Sequence, residues 1–147
     1  MRENSSREDN IYQQQIDQAF ALAEDFADKH SALSLKVKTC SQDVQQPIQE
    51  SEPLGIELLD LLKTFKQILD SLNVKEYRRA VQVVPAIIDK FREIKRKCIA
   101  AKAALKREPD SPKKTNIRQS LKEVIEKIER VVAGLQSLQK AIKEFFV

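Results

Sequence analysis

Apolar residues recur at alternating four- and three-residue spacing through most of this chain, a rhythm that predicts helices whose buried stripes pack on one another. The first stripe is Tyr12, Ile16, Ala19, Ala23, Phe26, His30, Leu33, Val37, Cys40 and Val44. Ser5 with Glu8 three residues later forms a candidate capping box ahead of it, and Pro47 closes it because proline has no amide to donate. The predicted helix covers about residues 7–45 and would be roughly 55 to 60 Å long at 1.5 Å per residue. Gln45 to Pro53 reads as a polar connector. A second helix over about 54–72 carries Leu54, Leu58, Leu61, Leu62, Phe65, Ile68, Leu69 and Leu72, the densest apolar face of the chain and the shortest of the predicted helices.

The phase of that face fails beyond Leu72, and Asn73 with Glu76 resembles a cap, so the chain breaks or kinks sharply there. A third helix over about 74–107 uses Tyr77, Ala80, Val81, Val84, Ile87, Ile88, Phe91, Ile94, Cys98, Ala101 and Leu105. Pro85 lies inside it, which predicts a kink between Val81 and Pro85. After a loop holding Pro109 and Pro112, a fourth helix over about 113–146 repeats the strict heptad seam with Ile117, Leu121, Val124, Ile128, Val131, Leu135, Leu138, Ile142 and Phe145. Gly134 within it is expected to mark the close approach of another helix.

These stripes predict an all-α chain, an elongated antiparallel four-helix bundle with heptad seams; a three-helix bundle with a middle helix kinked at Asn73 is the alternative. Composition agrees, since 147 residues with two Gly, five Pro and no Trp suit one helical domain spanning 1–147. The last seam runs into Phe145, Phe146 and Val147 without a Gly, Pro or polar stop. That leaves open either a natural end or the amino-terminal domain of a longer protein. A polar start and the lack of any long uncharged apolar run read as a cytoplasmic chain.

Charge changes the picture more than composition does. The net charge is +4, but residues 1–73 hold seven basic against thirteen acidic side chains, a balance of −6, and residues 74–147 hold nineteen against nine, a balance of +10. On the third helix Arg92, Lys95, Arg96, Lys102, Lys106 and Arg107 fall on one flank of the apolar stripe, and Lys113 and Lys114 extend the patch into the loop. This flank either is a solvated face, pairs with Glu24, Asp25 and Asp28 of the first helix, or binds an anionic surface. An anionic membrane suits it better than nucleic acid, because no aromatic residues interleave the cations.

The chemistry-bearing residues are few. His30, the sole histidine, occupies a seam position with no second ligand or nucleophile pattern, so it reads as a core histidine. Cys40 and Cys98 also lie on stripes and read as small buried apolar groups. No phosphate loop, metal spacing or nucleophile elbow is found, so no enzyme, cofactor, metal or small-molecule substrate is expected. The reading is a non-catalytic interaction or assembly module acting through helix packing, on a protein partner or on itself. Leu135, Phe145 and Phe146 are its candidate contacts, and the alternatives are an anionic-membrane-binding or membrane-perturbing bundle and, more weakly, a nucleic-acid scaffold.

Overall fold

The chain reverses direction three times, and the charged side chains record each reversal. The computed structural model describes the backbone of residues 2–71 and 74–145 and the side chains of 14–71 and 78–144. Its helices are α1 (Arg2–Lys36), α2 (Gln42–Asp70), α3 (Val74–Leu105) and α4 (Pro112–Phe145), with one 3-10 turn, Val37–Thr39, between the first two. Glu50 pairs with Lys97 and Glu57 with Lys90, so α2 and α3 run antiparallel. Asp25 pairs with Lys127 and Lys29 with Glu123, which makes α1 and α4 antiparallel. Lys95 with Glu129 and Val81 with Gln139 do the same for α3 and α4. This is an up-down-up-down four-helix bundle, and the reversal between Asp70 and Val74 sets aside the three-helix alternative. Leu72 and Asn73 lie outside the described residues.

Three predicted boundaries are corrected. α1 begins at Arg2, ahead of Ser5, and it ends at Lys36 rather than near residue 45. The stretch read as a connector is helical, and α2 starts at Gln42 and passes through both Pro47 and Pro53. The second helix is therefore 29 residues long, not a short partner of the others. Its seam is regular once it is followed from the start: Val44, Ile48, Ser51, Gly55, Leu58, Leu62, Phe65 and Leu69 follow the four-three spacing. Ser51 and Gly55 break the apolar pattern, and the two prolines add a false stop signal. The expected stripe also carries on in phase across the real turn, since Val37 and Val44 are both buried.

That turn is fastened from the other end of the chain. The Ser41 amide donates to Glu108 Oε1 at 2.7 Å, and Lys113 Nζ donates to the Thr39 carbonyl at 3.0 Å. Gln45 adds a side-chain donor to the Cys40 carbonyl. The α1–α2 turn and the α3–α4 loop thus sit at the same end of the bundle, as the topology requires. The Ser41 amide and hydroxyl, more than any charge, hold the Glu108 carboxyl below its ordinary range. Ser111 caps α4 by accepting the Lys114 amide at 3.1 Å, with Pro112 in the first helical position.

The core is filled as the stripes predict. Every seam residue of α4 from Ile117 to Ile142 is buried, and so are Val84, Ile87, Phe91, Ile94 and Cys98 on α3. Phe26 of α1 meets Phe91 of α3 edge to face across the bundle at 5.2 Å between ring centres, a geometry that adds to burial. Helix α3 runs through Pro85. A proline there leaves the Val81 carbonyl, four residues back, without its helical donor. Gln139 of α4 supplies one: its Nε2 donates to the Val81 carbonyl at 3.3 Å. Gly134 is a further correction, because a β-carbon built there has no neighbour within 4 Å. It marks open space.

Candidate functional site

Helices α2 and α3, α1 and α4, and α3 and α4 pack along extensive seams, whereas α1 and α2 touch far less. The consecutive helices α1 and α2 therefore leave a groove between them, with a volume of about 410 Å³. His30 and Phe26 form its base, and Leu35 on α1 and Ile56 and Leu59 on α2 form its walls. Their exposure is 64%, 66% and 41% respectively, and Ile99 on α3 is the remaining exposed large apolar side chain among the described residues. Clustering of three of the four in one groove is what separates a site from scattered surface apolar residues.

The base of the groove is polar by design of its hydrogen bonds. Ser51 Oγ lies 2.6 Å from the Ile48 carbonyl oxygen and 2.8 Å from His30 Nε2. A carbonyl can only accept, so the hydroxyl donates to Ile48 and must accept from Nε2–H. The neutral imidazole accordingly carries its proton on Nε2 and keeps a lone pair on Nδ1. The ring stacks on Phe26 at 5.5 Å and presses on Gly55, where a β-carbon would stand 3.3 Å from Nδ1 and Cε1. Glycine at residue 55 is what lets the imidazole occupy the seam. Burial pushes the His30 imidazole below its ordinary 6.5, with the Glu52 carboxylate opposing. His30 is buried, as its seam position implied.

Four carboxylates rim this face. Glu52 lines the groove; on α1 Glu24 lies two turns before Ser31 and Asp28 two turns before Leu35; Asp60 lies one turn beyond Ile56 on α2. Lys38 lines the groove as well, Lys63 lies one turn beyond Leu59, and Lys66 of α2 reaches across the seam over the Phe20 ring of α1 at 5.8 Å. Four carboxylates against three cations leave the rim a slight excess of negative charge.

The predicted basic flank divides into two sets. Lys95 pairs with Glu129 at 3.2 Å. Lys113 is committed to the Thr39 carbonyl, and Lys114 is buried, donating to the Lys106 and Glu108 carbonyls and to Asp110 Oδ1 at 3.2, 2.8 and 3.1 Å. Lys114 is thus removed from any outer surface. Lys102 is half-buried, while Arg92, Arg96, Lys106 and Arg107 are exposed and without an ion pair among the described residues. Of the alternatives for this flank, pairing with α1 is not found among the described residues: Asp25 goes to Lys127 of α4, and α3 pairs with α2 and α4.

Leu135 is 1% exposed, so it serves the core, and a partner could reach it only by opening the bundle. The side chains of Phe145 and Phe146 lie outside the described residues. Cys98 is fully buried and its thiol is pushed up to about 12 by burial, while Cys40 is half-buried and raised for the same reason. Among the described residues no three His, Cys, Asp or Glu side chains come together to hold a metal ion, and no helix is long and apolar enough to cross a membrane. No protein-family model, curated protein or solved structure matches this chain.

Sequence reasoning missed the groove because Ile56 and Leu59 stand off the apolar stripe of the predicted second helix, and Ser51, which marks the open layer, falls in the predicted connector. The available signal was the spacing of Val44, Ile48, Ser51, Gly55 and Leu58, which tolerates Ser and Gly only if something large from another helix fills their layer.

Proposed function

We propose that this protein is a non-catalytic interaction module that receives, in the groove between α1 and α2, one helix bearing apolar side chains flanked by cations. The observation that carries this reading is the unfilled seam itself: Leu35, Ile56 and Leu59 project beside a base of Phe26 and His30. A helix laid there would bury these three side chains, each contributing up to about 1.5 to 3 kcal/mol when fully covered. The excess of carboxylates at the rim favours cations on the incoming helix.

The test is a titration followed by the methyl resonances of Leu35, Ile56 and Leu59. Two synthetic amphipathic peptides of equal apolar pattern are compared, one with Lys and one with Glu on the polar face. The basic peptide is expected to shift these methyls and to lose that effect on Ile56→Asp. No shift with either peptide, or equal shifts with both, would sink the reading.

A second reading draws on Arg92, Arg96, Lys106 and Arg107, which are exposed along α3. Cations in such an array contribute about 1 kcal/mol each near an anionic bilayer, so we propose anionic-membrane docking as the alternative. Co-sedimentation with anionic but not neutral vesicles at physiological salt, lost on reversal of Arg92 and Arg96, supports it. Unchanged pelleting of the reversed variant ends it.

A further inference from the structure

Resting on the groove reading, we infer that the helix received in the α1–α2 groove is α3 of a second copy of this chain, so that copies join head to tail. Three observations converge on that occupant. The first is the count of exposed large apolar side chains among the described residues: three line the groove, and the fourth, Ile99, stands 48% exposed on the outer face of α3. The second is charge. Ile99 is set among Arg92, Arg96, Lys102 and Lys106 at helical spacing, with Asp89 as the acidic residue of that stripe, whereas the groove rim has Glu24, Asp28, Glu52 and Asp60 in excess over Lys38, Lys63 and Lys66. The third is shape, since Ala100 and Ala103 flank Ile99 and let the α3 backbone come close to a shallow wall.

The two faces cannot meet within one molecule. Helix α3 packs on α2 and α4, so its outer face points away from the seam between α1 and α2. Each copy therefore offers one groove and one basic face on different sides. Such a contact is heterologous, and it propagates rather than closing as a symmetric pair. Opposite charge brings the faces together and makes the association sensitive to salt.

Sedimentation velocity of the whole chain over a range of concentrations, at low and at high salt, tests this. The unmodified protein is expected to grow beyond a dimer with concentration at low salt and to revert to monomer at high salt. Ile56→Asp and Ile99→Asp each alter an exposed side chain, so helicity is expected to be unchanged. Each variant alone is expected to stay monomeric. An equimolar mixture has one intact groove and one intact α3 face, and is expected to form a one-to-one dimer that grows no further. A monomeric wild type at low salt, a mixture that stays monomeric, or a dimer indifferent to Ile99→Asp would each overturn the inference. The peptide titration separates the two proposals: a monomeric wild type whose groove methyls still move with the basic peptide loses the second copy as occupant and keeps the groove.

Discussion

The seam between α2 and α3 and the seam between α1 and α2 are built from helices of similar length and the same heptad spacing, yet only the first is closed. Helices α2 and α3 pack extensively, and ion pairs from Glu50 and Glu57 run along the edge. Between α1 and α2 the seam carries His30, Ser51 and Gly55, and the layer is completed by a hydrogen bond rather than by interlocking apolar side chains. The histidine gives these two helices one directional contact, beside the Phe20–Phe65 ring contact at 5.9 Å farther along the same seam. It also sets a limit on how closely they approach. The open groove follows from that one layer, and surface charge has little part in it, because ion pairs of this exposure are worth only about 0.2 to 1 kcal/mol each.

The contrast is sharpest in what truncation costs. Phe91→Ala, in the closed part of the core and in edge contact with Phe26, is expected to lose about 3 to 5 kcal/mol in chemical denaturation. Ile56→Ala on the groove wall should change stability by no more than about 0.5 kcal/mol. Similar losses at both positions would mean that the groove is closed in solution.

The polar layer has its own signature. Ser51→Ala leaves the Nε2–H of His30 unsatisfied in a buried place, an expected cost of about 1 to 3 kcal/mol. Adding His30→Leu removes the stranded donor, so the double variant should be more stable than Ser51→Ala alone. A simple sum of two losses would show that the hydrogen bond is not what joins these helices.

Acid should act on the same layer before it acts on the rest. Because burial depresses the folded-state value of His30, the unfolded chain binds the proton first. Its contribution is complete above about 6.5, the ordinary value, and is lost as the pH falls below it. The carboxyls of Asp25, Glu50 and Glu108 are depressed instead. Their contributions persist through that window and fade only as the pH falls through and below the ordinary carboxylate range. Thermal unfolding between pH 7 and 5 should therefore show a decline that His30→Gln abolishes.

The smallest effect distinguishes the two glycines. Gly134→Ala meets open space in a helix and should stabilise by about 0.4 to 1 kcal/mol. Gly55→Ala meets the imidazole at 3.3 Å, so a lower melting temperature is expected there. Equal signs at the two positions would remove the close packing of His30 as the reason for glycine at residue 55.

Much of the fold was legible in the sequence, and particular residues show where legibility stopped. The seams of α3 and α4 were readable residue by residue, because a long regular apolar stripe has few other solutions. The start of α2 was not, since Pro47 and Pro53 signal a break while Ser51 and Gly55 hide the stripe that bridges it. Prolines are tolerated there because the helix still buries Val44, Ile48 and Leu58. Of the candidate site residues, the cations were found but their fates were not. Lys113 and Lys114 hold loop carbonyls, Lys95 holds Glu129, and Arg92 and Arg96 remain at the surface.

By itself the sequence determined the helical class and most of the residues that face the core, because side-chain periodicity follows from local backbone geometry. Only the tertiary structure decided where α1 turns into α2, since a reversal that keeps the heptad phase leaves no mark in the pattern and is secured by Glu108 and Lys113 from a loop far along the chain. It also decided which charges are neutralised and which seam stays open. Those depend on which helices become neighbours, and neighbourhood is a property of the packed bundle rather than of any one stripe.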